Sequence, residues 1–265
     1  MYLLILLIVL YKCTTKDDNS SVDKDQELLL NVPQDPCFNP EEEDCEELEH
    51  FVERSVYVPG YCYVVATYKV YKCNGIITIG NLQWHFNEYH AECDDWAGEL
   101  YQRCFNGCTM NGTQPPRPRN CIRECVGAAL NKAEIDLFWF LIDDYVINHV
   151  DLSSLKSCSE IMNGSSDSDD NDGNVGRVRF FREVCKLVCS KSKRPYISIY
   201  DIVTYICGGG CCEQGATYCL DEDGNLTLTN FYSDATEVRC SEVENLCEKL
   251  YNQQTVTECR PATCN

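Results

Sequence analysis

The chain has 265 residues, 42 Asp+Glu against 22 Lys+Arg, and a formal net charge of -20. That surface repels phosphate backbones and anionic lipid, which excludes nucleic-acid binding and electrostatic adhesion to a membrane. Its 21 cysteines, about 8% of the chain, give the composition of a scaffold stapled by disulfides in an oxidising compartment.

Residues 2 to 11 are an unbroken apolar run, after which the chain turns polar and acidic. Ten residues are too few to span a hydrocarbon core of ~30 Å, so residues 1-12 read as a signal peptide. Cys13 follows directly, with Leu10 three residues before it and Lys16-Asp17-Asp18 just after. This arrangement resembles the surface-exposed lipoproteins of the Bacteroidota. The resemblance implies acylation at Cys13, export to the outer face of the outer membrane, and contact with the membrane through the lipid alone. Cleavage after Thr15 is the competing reading and gives a secreted protein. On either reading Cys13 leaves the disulfide pool.

Residues 13-36 read as an acidic flexible tether. Its part from 14 to 36 holds six Asp/Glu and two Lys, with too little apolar surface to order itself. A second acidic stretch, 159-176, reads as a linker between two disulfide-rich domains, 37-158 and 177-265. The first holds Cys37, Cys45, Cys62, Cys73, Cys93, Cys104, Cys108, Cys121, Cys125 and Cys158. The second holds Cys185, Cys189, Cys207, Cys211, Cys212, Cys219, Cys240, Cys247, Cys259 and Cys264. Even counts on both sides predict five bridges in each. The acidic excess is uneven: 19 acids against nine Lys/Arg in 37-158, and 12 against ten in 177-265.

In the first domain, Asn39-Pro40-Glu41-Glu42 supplies an N-cap, a proline at the first helical position and a capping-box acid, which predicts a helix over roughly 40 to 54. Cys62 to Tyr68 and Gly75 to Asn81 then read as strand, turn, strand. The same order recurs from Cys212 to Tyr218 and from Gly224 to Asn230, which marks an internal repeat. Cys104, Cys108, Cys121 and Cys125 are spaced so that two antiparallel helices could be zipped by Cys104 to Cys125 and Cys108 to Cys121. This spacing resembles the α-hairpinins, which include protease inhibitors and toxins, and the resemblance implies Arg117 or Arg119 as a contact residue. Ile135, Phe138, Leu141, Ile142, Tyr145 and Val146 recur at helical spacing and predict a core helix over 133 to 150.

In the second domain, Val178 to Cys189 and Tyr196 to Cys207 read as strands. Seven basic residues lie between Arg177 and Arg194, and Arg177, Arg179 and Arg182 are candidates for meeting an acidic partner. The fold class expected is α+β and disulfide-rich, with two small domains that each carry a β-hairpin repeat and with helices mainly in the first.

Other patterns carry less. The cysteine pairs lack CxxC knuckles, so no zinc or other metal site is expected. His85 and His90 fit neither a zincin motif nor its inverse and read as surface or partly buried histidines. Asp167, Asp169, Asn171 and Asp172 place Gly173 one residue late for a calcium loop. Asn19, Asn111, Asn163 and Asn225 begin N-x-S/T sequons that matter only in a eukaryotic secretory route. No nucleophile elbow or phosphate loop is present, so neither enzyme activity nor a cofactor is expected. The sequence therefore predicts a non-enzymatic cell-surface lipoprotein that binds a protein partner or serves an outer-membrane complex. The alternative is a secreted disulfide-rich effector or protease inhibitor.

Overall fold

The computed structural model describes residues 37-87, 89-109, 118-163, 176-190, 202-236, 239-240, 247-248, 254-261 and 264. The signal peptide, Cys13, the tether with Asn19, Asn111, Arg117, the Asp167 to Asp172 stretch and the basic residues 191 to 194 lie outside them. No helix among the described residues is long and apolar enough to cross a membrane.

Three strands open the chain: β1 (Cys45–Tyr57), β2 (Tyr63–Cys73) and β3 (Ile76–Phe86), paired antiparallel in order. Helices α1 (Ala91–Thr109), α2 (Pro118–His149) and the short α3 (Cys158–Asn163) follow. Then come β4 (Arg177–Glu183), β5 (Cys185–Ser190), β6 (Ile202–Ile206), β7 (Gly208–Gly209), β8 (Cys211–Leu220), β9 (Leu226–Ala235), β10 (Arg239–Cys240) and β11 (Gln254–Pro261). The main sheet has six strands in the order β1-β2-β3-β4-β8-β9, beside a three-stranded sheet β11-β5-β6 and the pair β10-β7.

The chain is thus a disulfide-rich α+β protein, but its two halves do not pack apart. Each half contributes three antiparallel strands, the meander β1-β2-β3 and the set β4-β8-β9, from which β5 to β7 leave for the smaller sheets. The two join by parallel pairing of Ile77 to Ile79 with Val178 to Phe180. Residues 34 to 265 form one compact unit. The even cysteine counts have a matching explanation. Four bridges lie within the first half and four within the second, while Cys37–Cys211 and Cys158–Cys219 cross between them. Two crossings keep both counts even, as five separate bridges per half would.

The internal repeat is visible as geometry. Asn74 and Gly75 have φ of 51° and 82°, which closes the β2-β3 hairpin in the two-residue turn whose twist matches its strands. Six residues after each turn glycine, Asn81 and Asn230 both take positive φ, 56° and 52°, at a β-bulge. Ala66, Tyr68, Ala216 and Tyr218, the matching residues of β2 and β8, are all buried beneath α2 in one core.

The expected helix over 40 to 54 is instead a turn followed by β1. Leu48, Phe51, Val52 and Val56 do have helical spacing. In the strand, bulges at Leu48 and at Val52-Glu53 absorb the odd steps, with Glu53 at φ 48°. Leu48, Phe51 and Val56 therefore all reach the core while Val52 faces out. The expected strand from Val178 to Cys189 is interrupted at buried Val184, whose N–H donates to the Gly210 carbonyl, so β4 and β5 enter different sheets. The helix expected over 133 to 150 is the C-terminal part of α2.

Candidate functional site

Helix α2 is held on the sheet by a row of its own polar groups. Asp144 pairs with Arg54 at 2.7 Å, and Arg54 also donates to the Tyr68 hydroxyl at 2.9 Å. The Tyr61 hydroxyl donates to Asp136 at 2.6 Å, and the Tyr218 hydroxyl donates to Asp143. Burial, followed by the bond to Asp136, raises the Tyr61 pKa, and burial raises that of Asp143. Deepest in the row is Glu134, which pairs with Lys186 and lies 3.8 Å from Arg182. The Trp84 indole donates to it at 3.4 Å, and Arg182 donates to Asn131 at 2.6 Å.

Arg182 is 1% exposed. Burial pulls its pKa down, and the charges of Glu134 and Glu183 oppose that. This set joins cations, a carboxylate, an amide and an indole across four elements, which suits it to locking α2 onto β3, β4 and β5.

The expected basic patch therefore divides. Arg177, the first residue of β4, is exposed. Arg179 turns onto the outer face, where its Nε donates to Thr78 Oγ1 at 3.1 Å. It also pairs with Glu43 and Glu213, and its guanidinium lies 4.9 Å from the Phe181 ring centroid. Arg182 turns inward. Arg179 and Arg182 both make their contacts within the chain, because the parity of β4 sends them to the two covered faces of one sheet. Arg119 falls in the first turn of α2.

The outer face is covered in part by the segment before β1. Phe38 packs between Tyr71 and Phe181, with centroids at 5.1 and 5.2 Å, and a Cβ on Gly80 would occupy its ring position. Tyr232 lies over Gly215 in the same way and donates to Glu213 at 2.7 Å. Burial and that hydrogen bond raise the Tyr232 pKa.

Helix α1 and the start of α2 form a hairpin closed by Cys104–Cys125 and Cys108–Cys121, with Cα separations of 5.6 and 5.8 Å. Cys62–Cys93 ties the start of β2 to α1, and Cys45–Cys73 ties β1 to the end of β2. In the second half, Cys185–Cys240, Cys189–Cys247, Cys207–Cys259 and Cys212–Cys264 complete the set. Glu43 lies close to Cys45 and Cys73, but those two sulfurs are bonded to each other and are spent as metal ligands. His85 is exposed, and His90 stacks on Tyr63 with centroids 3.9 Å apart.

Two exposed features were not anticipated. One is an aromatic rim, with Tyr57 and Tyr63 at 5.1 Å and Tyr89 88% exposed. The other is the edge of β9, unpaired among the described residues, with Phe231 63% exposed. Strand order decides which side chains reach an edge, and no local pattern encodes that order. A scan against protein-family models, a search of curated proteins and a search of solved structures each find no match for the chain.

Proposed function

We propose that the chain is a non-enzymatic binding protein of the cell surface, acylated at Cys13 and carried on the acidic tether 13-36. The observation that carries this reading is the cysteine pairing. The ten bridges use every cysteine except Cys13, which leaves that thiol for the lipid. Ten bridges also require an oxidising compartment, which agrees with export. The partner is a protein at the outer membrane or cell surface, met by the exposed aromatic rim, since tyrosine is favoured at interfaces for its large, amphipathic contact area.

The test is the N-terminus and location of the protein in its native host. A membrane-bound species that begins at an acylated Cys13, and that becomes soluble on Cys13→Ala, supports the reading. A soluble species beginning near Lys16 overturns it.

The closed helical hairpin favours a second reading, a secreted effector or protease inhibitor with its contact at Arg117 or Arg119. That reading predicts inhibition of a trypsin-like protease that disappears in the Arg117→Ala, Arg119→Ala double variant.

A further inference from the structure

Among the described residues the main sheet ends in two unpaired edges of different character. The β1 edge carries Glu46, Glu47, Glu49 and Glu53 and is broken by two bulges. Charges and bulges are the devices by which sheet edges resist pairing with other chains. The β9 edge is ten residues of sequence LTLTNFYSDA, with Asp234 as its one charge and a single bulge at Asn230. Among the described residues nothing pairs with its outer side. That bulge shifts the parity of β9 and puts Phe231 on the inner face, where it meets Trp139 edge-on at 5.7 Å and is still 63% exposed. Leu226 and Leu228 lie against the core along the same face.

The sheet is itself assembled by joining two three-stranded sets edge to edge, through only three residue pairs at β3-β4. Charge permits the same event at β9, because the half that carries it has 12 acids against ten Lys/Arg, while the half that carries β1 has 19 against nine.

We propose that β9 pairs antiparallel with β9 of a second copy of this chain, forming a two-fold dimer with a continuous sheet of two six-stranded halves. The contact is isologous, so each copy offers the same strand with a single charge to the other, and the exposed Phe231 rings approach each other beside the two α2 helices. The acidic, bulged β1 edges remain outside and stop growth at two copies, where two open edges would have produced a filament.

The test is sedimentation velocity of the complete, disulfide-bonded chain across a concentration series, together with amide hydrogen exchange at the dilute and concentrated ends. The expected result is a monomer-dimer equilibrium in which protection gained on concentration maps to β9. The variant Thr227→Lys, Phe231→Lys should raise the dissociation constant at least about tenfold, and Val52→Lys on the β1 edge should leave it unchanged. Should Phe231→Lys disturb folding, judged by circular dichroism and full thiol protection, Thr227→Lys alone carries the comparison. A monomer at every concentration, a species larger than a dimer, or a dimer sensitive to Val52→Lys and not to the β9 variants overturns the proposal.

Discussion

Glu134 answers for two cations, and that asymmetry sets what its loss does. Glu134→Ala strands Arg182, 1% exposed, and Lys186 beside it without their carboxylate. Removing one partner of a buried pair costs about 3 to 5 kcal/mol, and the partial exposure here places the loss at the lower end, about 3 kcal/mol. Guanidinium unfolding of the oxidised protein measures it. Asp143 carries a pH dependence of known sign. Burial raises its folded-state pKa, so the folded chain holds this proton more tightly than the unfolded one. Its stabilising share is present below the unfolded value and is lost as pH rises through the folded one. Asp143→Asn keeps an acceptor for the Tyr218 hydroxyl and removes the charge. The variant should therefore gain stability relative to the parent as pH rises from about 4 to about 7, as followed by unfolding at the two pH values. Gly215→Ala pushes Tyr232 off the outer face and breaks its bond to Glu213, with an expected loss of about 1 to 3 kcal/mol.

At the scale of elements, what could be read from the sequence was whatever rests on neighbours along the chain. The β2-β3 and β8-β9 hairpins follow from Asn74-Gly75 and Asp223-Gly224 between alternating residues, and α2 follows from apolar spacing between Ile135 and Val146. Both bridges of the helical hairpin follow from four-residue cysteine spacing on facing helices. β1 was hidden because two bulges give a strand the apolar spacing of a helix, and a bulge is a property of pairing with β2 that β1 alone does not announce. The parity of Arg179 and Arg182 was legible as alternation, yet both faces of β4 turned out to be covered, one by α2 and the other by the segment with Phe38 and Glu43. Removing Cys104–Cys125 and Cys108–Cys121 together, by serine at all four positions, frees loops with sequence separations of 21 and 13. Each bridge is worth about 3 kcal/mol in the chain-entropy account. The expected outcome is loss of helical ellipticity, with amide protection falling over α1 and the first turns of α2 while the sheet keeps its own.

For the whole molecule, the repeat and the even cysteine counts pointed to two bodies, and the structure joins them. Repeated three-stranded sets can fold apart or share a sheet, and the choice rests on a parallel contact between residues about 100 positions apart, Ile77 to Ile79 with Val178 to Phe180. Such a contact leaves no local trace, because the same apolar residues serve an edge or a centre strand. The crossing bridges follow from that contact, since Cys37–Cys211 lies across the outer face and Cys158–Cys219 ties α3 to β8. A cut within residues 164 to 175 should leave one species on a non-reducing gel and two after reduction. The anchored, single-body account is tested most directly by peptide mapping of the native protein without reduction. It predicts Cys37 joined to Cys211, Cys158 joined to Cys219, and Cys13 in no bridge. Ten bridges confined to the separate halves, or Cys13 found in a disulfide, would contradict it.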